Sequence, residues 1–292
     1  LNLPVIECEA GENSKSFEEV IRIIDKLIDL KADRQTVLIN LGGGMVTDLG
    51  GFVASIFKRG IPYINIPTSL LGMVDAGIGG KTGIDYLNYK NIVGAFKQAN
   101  AIFISTEFLK TLPEEDYKSA WAEIIKTAAV ANESLFELIE SDGNLDEVIK
   151  QCAITKSELV ERDFMDQNIR QLLNFGHTFG HAYESYFLEI NKPIKHGFAV
   201  AYGMLIELKI ALFINNISSN EFERINKLLK QKLGIVDFED DLFDLYLKYI
   251  ASDKKNVDSN VRFSLPKSIG KGQYQYKVSM EQLKKWKIEG II

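Results

Sequence analysis

The sequence predicts a two-domain protein, in which an α/β domain built on a parallel sheet precedes an all-α domain. Its 292 residues exceed the size of one ordinary domain and suit two. Up to Pro113, short apolar segments alternate with helical patterns, and the glycines are concentrated there. After Pro113 the patterns are mostly helical. We therefore expect one domain over residues 1–112 and a helical domain over residues 113–292.

Composition and charge exclude several classes of protein. With 46% hydrophobic and 25% charged residues, the chain has the profile of a folded globular protein. A net charge of −6 argues against a protein that coats nucleic acid through its phosphates. Two cysteines, Cys8 and Cys152, cannot form a disulfide framework, and no apolar run approaches the ~20 residues of a membrane span. We expect a cytoplasmic protein with no nucleic-acid or membrane partner.

The elements of the α/β domain are predicted in chain order. The chain opens at Leu1 on an extended segment, so we expect upstream strands to be missing. Apolar residues at helical spacing predict a helix over residues 17–30. Next come a strand over residues 36–41, a helix over 46–57, and strands over 62–67 and 101–104. Apolar strands that alternate with helices imply a parallel sheet covered on both faces.

The second domain is predicted from a series of helical patterns. They cover residues 117–131, 133–140, 145–161, 171–187, 198–214 and 220–232. No internal repeat or low-complexity stretch interrupts them. This order is typical of a helical domain that follows a separate sheet domain.

A glycine cluster, Gly42–Gly44, lies where the first predicted strand ends and a helix begins. Parallel sheets bind ligands at such positions, and glycines let backbone N–H groups approach an anion at a helix N-terminus. The segment is neither G-x-G-x-x-G nor a P-loop. A dinucleotide site and a plain tight turn remain equally supported. Gly50-Gly51, within the helix, instead indicate close packing against a neighbouring element.

A second glycine-rich segment runs from Val74 to Lys81 and is followed by Lys90-Asn91. Glycines that end in a lysine suit phosphate or another substrate anion, and Asp75 could accept a hydrogen bond from a hydroxyl. An ordinary surface loop would have the same composition, so this segment alone predicts little.

The histidines carry the strongest signal, because all three lie in one short part of the chain: His177, His181 and His196. If residues 171–187 form one helix, Arg170, Asn174, His177 and His181 share a face. Bulky apolar residues flank that face, so we expect the helix to be largely buried. Buried polar side chains need partners, and these four therefore indicate a polar cleft and not a solvent-exposed stripe.

Two histidines and one carboxylate are a common ligand set for catalytic zinc. The spacing leaves the carboxylate open between Glu184 and Glu123. Glu123 and Lys126 lie one turn apart in an otherwise apolar helix, so we expect this pair to face inward, although most such pairs are solvated salt bridges. From spacing alone, a metal site and its absence are about equally supported.

Several segments, in one order along nearly the whole chain, form a specific pattern. They are Gly42-Gly43-Gly44-Met45-Val46-Thr47-Asp48, Gly51-Phe52, Arg59-Gly60, Pro67-Thr68-Ser69-Leu70-Leu71, Val74-Asp75 to Lys81, Lys90-Asn91, Ala122-Glu123 to Lys126, Leu173 to Ala182, His196-Gly197 and Asp253-Lys254-Lys255. This pattern closely resembles the 3-dehydroquinate synthases of the sugar-phosphate cyclase superfamily, whose architecture is shared by glycerol dehydrogenase-like enzymes.

The resemblance implies a cytoplasmic, homodimeric enzyme of the shikimate pathway that depends on NAD and on Zn²⁺ or Co²⁺. It would convert 3-deoxy-D-arabino-heptulosonate 7-phosphate to 3-dehydroquinate and phosphate. The implied sequence is transient oxidation by NAD, phosphate elimination, re-reduction and intramolecular aldol closure. Members of the family also carry upstream residues, including a strand that helps bind the adenosine half of NAD.

Roles of individual residues are likewise implied by the resemblance. The implied metal ligands are Glu123, His177 and His196, and His181 would be catalytic or contact phosphate. Implied NAD contacts are Glu12, Lys15, Gly43, Gly44, Asp48, Thr68, Ser69, Leu71, Asp75, Lys81, Lys90, Asn91 and Thr111. Implied substrate contacts are Arg59, Asp75, Lys81, Asn91, Lys126, Lys156, Arg170, Asn174 and Lys254.

One departure keeps alternatives open. Ala76-Gly77 stand where the family usually has two serines. Relatives that make valiolone-type rings carry the same Asp-Ala-Gly sequence. Asn174 and His181 follow the dehydroquinate pattern instead. A metal-dependent polyol dehydrogenase is a further alternative, which would release NADH. A noncatalytic binding module is disfavoured, because it would not need the full polar set.

Overall fold

The computed structural model describes residues 3–87, 89–235, 247, 249–250 and 260–292. Contacts divide the chain into two compact units, Leu1–Pro113 and Glu114–Ile292. The first contains a parallel sheet with helices and the second is mainly helical, which confirms the predicted fold class.

Where it is described, the first unit contains two α-helices and two small sheets. Its elements are α1 (Phe17–Asp29), β1 (Leu38–Gly42), α2 (Gly44–Ile56), β2 (Tyr63–Pro67), β3 (Lys81–Tyr86), β4 (Tyr89–Phe96) and β5 (Ala101–Ile102). The parallel sheet has the order β1-β2-β5. The predicted elements are confirmed to within a few residues. Because Gly42 pairs with Pro67, β1 and β2 end at the same edge of the sheet.

Helix α2 packs very closely against the sheet, as Gly50-Gly51 indicated. A Cβ on Gly50 would lie 1.9 Å from Oδ1 of Asn40 on β1. Asn40 is itself buried and donates from Nδ2 to Oδ1 of Asn65 on β2 over 2.9 Å. Buried residues of α1, α2, β2 and β3 complete a single apolar cluster. Only a glycine fits at position 50 without displacing this amide pair.

The expectation of a sheet covered on both faces is wrong at β1. Ile39 and Leu41 are 42% and 57% exposed, whereas Asn40 between them is buried. Side chains alternate between the faces of a strand, so the two apolar residues share the face opposite Asn40. Within the described residues, the helices of this unit cluster on the Asn40 face and leave Ile39 and Leu41 open.

The second glycine-rich segment forms a turn and a hairpin, which the sequence did not predict. A π-helical turn over Gly72–Ala76 leads into the antiparallel pair β3–β4. Gly83 and Gly94 face each other across this pair, and a Cβ on Gly94 would lie 2.3 Å from the carbonyl oxygen of Thr82. These glycines therefore allow close approach of two backbones.

The described part of the second unit consists of helices and one antiparallel hairpin. Its elements are α3 (Glu114–Ala131), α4 (Glu133–Glu140), α5 (Leu145–Arg162), α6 (His177–Glu189), α7 (His196–Phe213), α8 (Ser219–Leu233), β6 (Asn260–Ser268), β7 (Lys271–Ser279) and α9 (Met280–Ile288). The expectation of an all-α domain is therefore too simple. The buried residues of β6, including Phe263 and Leu265, extend the helical core, and β6 packs against α3 and α7.

The helix predicted over residues 171–187 is wrong over its first six residues. A 3₁₀ helix over Ile169–Asn174 ends at Phe175, and α6 begins only at His177. Gly176 between them has φ +80°, a left-handed conformation that interrupts the helix. Arg170 and Asn174 consequently do not share one helix face with His177 and His181.

Among the described residues, α7 is the one helix long and apolar enough to cross a membrane. A helix in a protein core has the same composition. In the structure, 67% of α7 is buried. Its apolar residues are accounted for by this packing.

Candidate metal centre

Three helices of the second unit bring one carboxylate and two imidazoles together. Glu123 lies in the middle of α3, while His177 and His196 are the first residues of α6 and α7. One ligand atom from each side chain lies within 4.8 Å of the other two. Oε1 of Glu123 is 3.7 Å from Nε2 of His177 and 3.5 Å from Nε2 of His196.

These distances suit a divalent cation. Zinc binds imidazole and carboxylate ligands at about 2.0–2.2 Å, so tetrahedral geometry places two ligand atoms about 3.4 Å apart. Both Oε1–Nε2 distances are within a few tenths of an ångström of that value. Oε1 of Glu123 is buried and accepts no hydrogen bond from the described residues. A buried carboxylate oxygen normally has a partner, and a cation would supply it here.

The other oxygen of Glu123 pairs with Lys126 on the same helix, so the expected inward-facing pair is present. Both side chains are almost fully buried, at 1% and 2% exposure, and Nζ of Lys126 contacts Oε2 of Glu123. Burial opposes ionisation of Glu123, but the charges of Lys126 and His196 outweigh it and lower its pKa to about 2. The Glu123 carboxylate is therefore ionised at neutral pH, as a metal ligand would need to be.

The second nitrogen of each imidazole has its own partner. Nδ1 of His177 lies 3.2 Å from the carbonyl oxygen of Phe175, to which it donates. Its Nε2 is then the lone-pair nitrogen that faces Glu123. Burial, and then the charge of Lys126, lower the pKa of His177 well below its usual value. His177 is consequently neutral, which metal binding requires.

Glu184, the other candidate carboxylate, lies on the far side of His196. Its Oε2 is 3.4 Å from Nδ1 of His196. In the metal-free chain, burial opposes protonation of His196, but Glu123 and Glu184 outweigh it and raise its pKa to about 10. A cation at Nε2 would displace the proton there and leave the Nδ1–H that Glu184 accepts. The distances thus favour Glu123 as a metal ligand and Glu184 as the residue that orients the His196 ring. The sequence alone did not decide which of the two carboxylates is the candidate ligand.

The remaining predicted residues of the second unit fall into two groups. His181 is exposed, and its ring centroid lies 5.3 Å from that of His177 and 6.2 Å from that of His196. Arg170 and Lys156 are buried, with Arg170 donating to the carbonyl oxygen of Phe164 over 2.9 Å. Asn174 is half-buried at the end of the 3₁₀ helix. Lys254 lies outside the described residues.

The Arg170 segment is anchored by Asp163, a residue that the sequence analysis missed. Its carboxylate accepts from the backbone N–H groups of Gln167, Asn168 and Arg170 over 2.6–3.1 Å. Burial opposes ionisation, but these N–H groups outweigh it and lower the pKa of Asp163. An aspartate directly after a helical pattern was the available signal.

In the first unit, four of the predicted NAD contacts form one polar cluster. Lys15 is 3% exposed, and its Nζ lies 2.9 Å from Oδ2 of Asp48 and 3.2 Å from Oε1 of Glu12. The same Nζ contacts Oδ1 of Asn91. Burial opposes protonation of Lys15, but Asp48 and Glu12 outweigh it and raise its pKa.

The turns after β1 and β2 bring another group of predicted contacts together. The N–H of Thr68 donates to the carbonyl oxygen of Gly42 over 2.8 Å. A Cβ on Gly43 would lie 3.3 Å from Oγ of Ser69, and one on Gly44 would lie 3.0 Å from Cβ of Ala76. Helix α2 starts at Gly44, and its N-cap residue Gly43 provides no side-chain hydrogen bond. Its first N–H groups therefore face no capping side chain, as an anion site requires.

Other predicted residues of the first unit lie apart from these clusters. Lys81, Lys90 and Thr111 are exposed, and Leu71 and Asp75 are half-buried near the π-helical turn. Arg59 is exposed with φ +69°, and it lines a cavity of about 540 Å³ with Asp33, Arg34, Gln35 and Lys58.

Comparison with protein-family models gives two adjacent matches. The family described as 3-dehydroquinate synthase N-terminal matches residues 5–119. The family described as 3-dehydroquinate synthase C-terminal matches residues 120–256. Together the two matches span most of the chain.

Curated relatives carry the same name. A 3-dehydroquinate synthase from Clostridium tetani is 40% identical over 285 residues, which cover 94% of this chain and 75% of the relative. One from Dictyoglomus thermophilum is 41% identical over 281 residues, covering 91% of this chain and 77% of the relative.

Solved structures share the fold. A 2-epi-5-epi-valiolone synthase from Streptomyces hygroscopicus, solved with NAD⁺ and Zn²⁺ bound, matches with a TM-score of 0.84 and 27% identity, covering 97% of this chain and 81% of that one. A glycerol dehydrogenase from Schizosaccharomyces pombe matches with a TM-score of 0.53 and 15% identity, covering 95% of this chain and 73% of that one. The second likeness concerns the fold alone.

Proposed function

The chain belongs to the 3-dehydroquinate synthase family, and from this premise we propose that it converts 3-deoxy-D-arabino-heptulosonate 7-phosphate to 3-dehydroquinate and phosphate. The reaction is a phosphate elimination followed by ring closure, so the enzyme is of the cyclase and lyase kind. The observation that carries the proposal is the grouping of Glu123, His177 and His196 at distances that suit a divalent cation.

Zn²⁺ or Co²⁺ is the proposed metal, held by Oε1 of Glu123 and the Nε2 atoms of His177 and His196. When bound, the metal would polarise a substrate oxygen as a Lewis acid, and NAD would take up and return a hydride. Lys126 keeps Glu123 ionised, and Glu184 orients the His196 ring. His181 adds a third imidazole beside the two ligands, where it can exchange a proton with substrate or contact its phosphate.

NAD is the proposed cofactor of the first unit. The N–H groups at the start of α2 suit its pyrophosphate, with Gly43, Gly44 and Ser69 forming the turn. The cluster of Glu12, Lys15, Asp48 and Asn91 supplies both donors and acceptors for ribose hydroxyls. Thr68, Leu71, Asp75, Lys81, Lys90 and Thr111 are proposed as contacts from the resemblance.

The substrate carries a phosphate and a carboxylate, which need cations and donors. Arg170 is positioned for this by Asp163, and Lys156 and Lys126 are buried lysines of the same unit. Asn174 can serve as donor or acceptor to a substrate hydroxyl. Arg59, Lys81, Asn91 and Lys254 complete the proposed set. Fixed donors of this kind contribute chiefly by orientation and electrostatic stabilisation.

The homodimeric state, a cytoplasmic location and the absence of nucleic-acid or membrane partners are also proposals. A net charge of −6 supports the absence of a nucleic-acid partner. The dimer rests on the family resemblance, and sedimentation equilibrium of the purified chain tests it.

A product assay tests the proposed function. The chain is incubated with heptulosonate 7-phosphate, NAD and Zn²⁺, and phosphate, dehydroquinate and NADH are measured. We expect phosphate and dehydroquinate in equal amounts without net NADH. Glu123→Gln should abolish both products, whereas Glu158→Gln, at an exposed position of α5, should not.

Other outcomes of the assay would contradict the proposal. Turnover of sedoheptulose 7-phosphate alone would assign the chain to the valiolone-type cyclases, with Ala76-Gly77 as the corresponding sequence difference. Net NADH without phosphate would indicate a polyol dehydrogenase.

A further inference from the structure

Helices α6 and α7, which begin with the two histidine ligands, are in unusually close backbone contact. A Cβ on Gly203 of α7 would lie 1.9 Å from the carbonyl oxygen of Gly176 and 2.6 Å from the amide nitrogen of Gly180. A Cβ on Gly180 would lie 3.0 Å from Cα of Val200. Glycines at these positions let the two helices meet without side chains between them, so the spacing between the helices is fixed by backbone contact.

The start of α6 has no cap from its own segment. Its N-cap residue is Gly176, which has no side chain to accept from the first turn. A side chain from α7 takes this place. The N–H of Gly176 donates to Oε2 of Glu207 over 2.7 Å, although the two residues are 31 positions apart. The helix that begins with His177 is therefore capped by the helix that begins with His196.

Glu207 is an unusual residue for its position. It is 0% exposed in α7, and the residues directly before and after it, Ile206 and Leu208, are buried as well. Burial raises the pKa of Glu207 to about 8, although the N–H groups of Gly176, Phe179 and Thr178 oppose the shift. Burying a carboxyl group at this place is costly. The acceptor it presents to the α6 terminus is the compensation that the structure shows.

We propose that Glu207 is a positioning residue for the metal centre, whose Oε2 holds the Phe175–Gly176 turn and thereby fixes the imidazole of His177. His177 is the next residue after Gly176, and its Nδ1 is oriented by the carbonyl of Phe175 in the same turn. Loss of the Glu207 acceptor leaves the N–H of Gly176, directly before His177, without this hydrogen bond. The inference rests on the proposed function, because it assumes that Glu123, His177 and His196 bind the metal.

Zinc affinity of the full chain, measured by chelator competition, tests the proposal. Glu207→Leu removes the acceptor, and we expect the affinity to fall about tenfold or more, as for other residues that orient metal ligands. Glu207→Gln keeps an oxygen within reach of Gly176, so its affinity should stay close to that of the wild type. Ile210→Ala, a cavity-forming change in the same helix at a 0% exposed position, is the matched control for destabilisation alone.

The zinc affinities of the variants decide whether Glu207 positions His177. Weak zinc binding by Glu207→Leu, with normal binding by Glu207→Gln and Ile210→Ala, supports the proposal. Equal losses in Glu207→Leu and Ile210→Ala, or no loss in Glu207→Leu, overturn it. Should Glu207→Leu fail to fold, Glu207→Asp replaces it, since its carboxylate is one methylene short of Gly176. Wild-type affinity in that variant would then overturn the proposal. Failure of the wild type itself to bind zinc would instead contradict the proposed function.

Discussion

Glu123 has its compensating charge on its own helix, one turn away. Lys126 neutralises Oε2, while Oε1 stays directed at the two imidazoles. A carboxylate buried to this degree without a partner would be strongly destabilising. The Glu123 carboxylate is therefore ionised and directed at the two imidazoles before any metal arrives, and Lys126 provides the largest of the charges that keep it so, with His196 adding to it.

Replacement of that lysine should be costly in the metal-free protein. Lys126→Met leaves Glu123 buried without its cation, and we expect the free energy of unfolding to fall by about 3 kcal/mol or more. Urea denaturation in the presence of a chelator measures it. Lys118→Met is the control, because Lys118 forms an exposed pair with Glu114 that solvent screens and that contributes little to stability. An equal loss of unfolding free energy in the two variants would show that the buried pair stabilises the protein no more than the exposed pair.

The effect of Lys126→Met should also depend on pH. The pKa of Glu123 is lowered from 4.5 to about 2, so its contribution to stability is present above pH 4.5 and is lost as the pH falls towards 2. In the variant, protonation of Glu123 relieves the buried charge. The difference in unfolding free energy between wild type and variant should therefore shrink over this range. A constant difference would contradict the assignment.

His196 offers a direct test of the ligand set. His196→Ala removes one of three ligands, and we expect the purified variant to lose zinc during dialysis against a mild chelator that the wild type withstands. Metal content per chain is measured by atomic absorption. Lys195→Ala changes the neighbouring residue, whose partner is Asp116, and should retain zinc. Stoichiometric zinc in His196→Ala would exclude this histidine as a ligand.

At the scale of elements, α2 can pack closely against β1 because Gly50 has no side chain. Alanine normally stabilises a helix relative to glycine by about 1 kcal/mol. Here its Cβ would meet the Asn40 amide at 1.9 Å, so we expect Gly50→Ala to destabilise by about 1–3 kcal/mol instead. Thermal or urea unfolding of the single and double variants measures it. In an Asn40→Ala background the same change should cost much less, and additive effects would contradict the clash.

Elements with strong periodicity could be predicted from the sequence, and those shaped by one backbone conformation could not. Helix α1 and strands β1 and β2 follow apolar patterns and were found within a few residues. The helix predicted over 171–187 failed because Gly176 adopts a left-handed conformation, which a periodic pattern does not reveal. The hairpins β3–β4 and β6–β7 were missed, since glycines and charged residues obscure their alternation.

In the candidate site, too, some features follow from local sequence patterns and others do not. Their clustering in the sequence predicted that the three histidines belong to one site, and their rings do lie close together. An inward Glu123–Lys126 pair was expected from its apolar neighbours and is present. The separate roles of Glu123 and Glu184 depend on the relative placement of α3, α6 and α7, which no local pattern encodes. Glu207 and Asp163 were missed for the same reason, because each accepts hydrogen bonds from backbone that its own helix does not contain.

At the scale of the whole molecule, all three proposed ligands lie in the unit Glu114–Ile292. Zinc should therefore raise protection against hydrogen exchange mainly in α3, α6 and α7, and much less in residues 3–87. Mass spectrometry of peptides with and without zinc measures this difference. At a free concentration of 100 times its dissociation constant, zinc would contribute about 2.7 kcal/mol of stability. Comparable protection in both units would contradict a site confined to the second.

The three proposed ligand residues are separated in sequence and belong to three different helices. A bound ion is thus a removable cross-link, which acts on the folded chain much as a disulfide does but can be withdrawn by the cell. Chains that lack the ion will open more often and will be degraded faster by proteases. Metal starvation will consequently reduce the half-life and the amount of this protein, in addition to silencing the copies that survive.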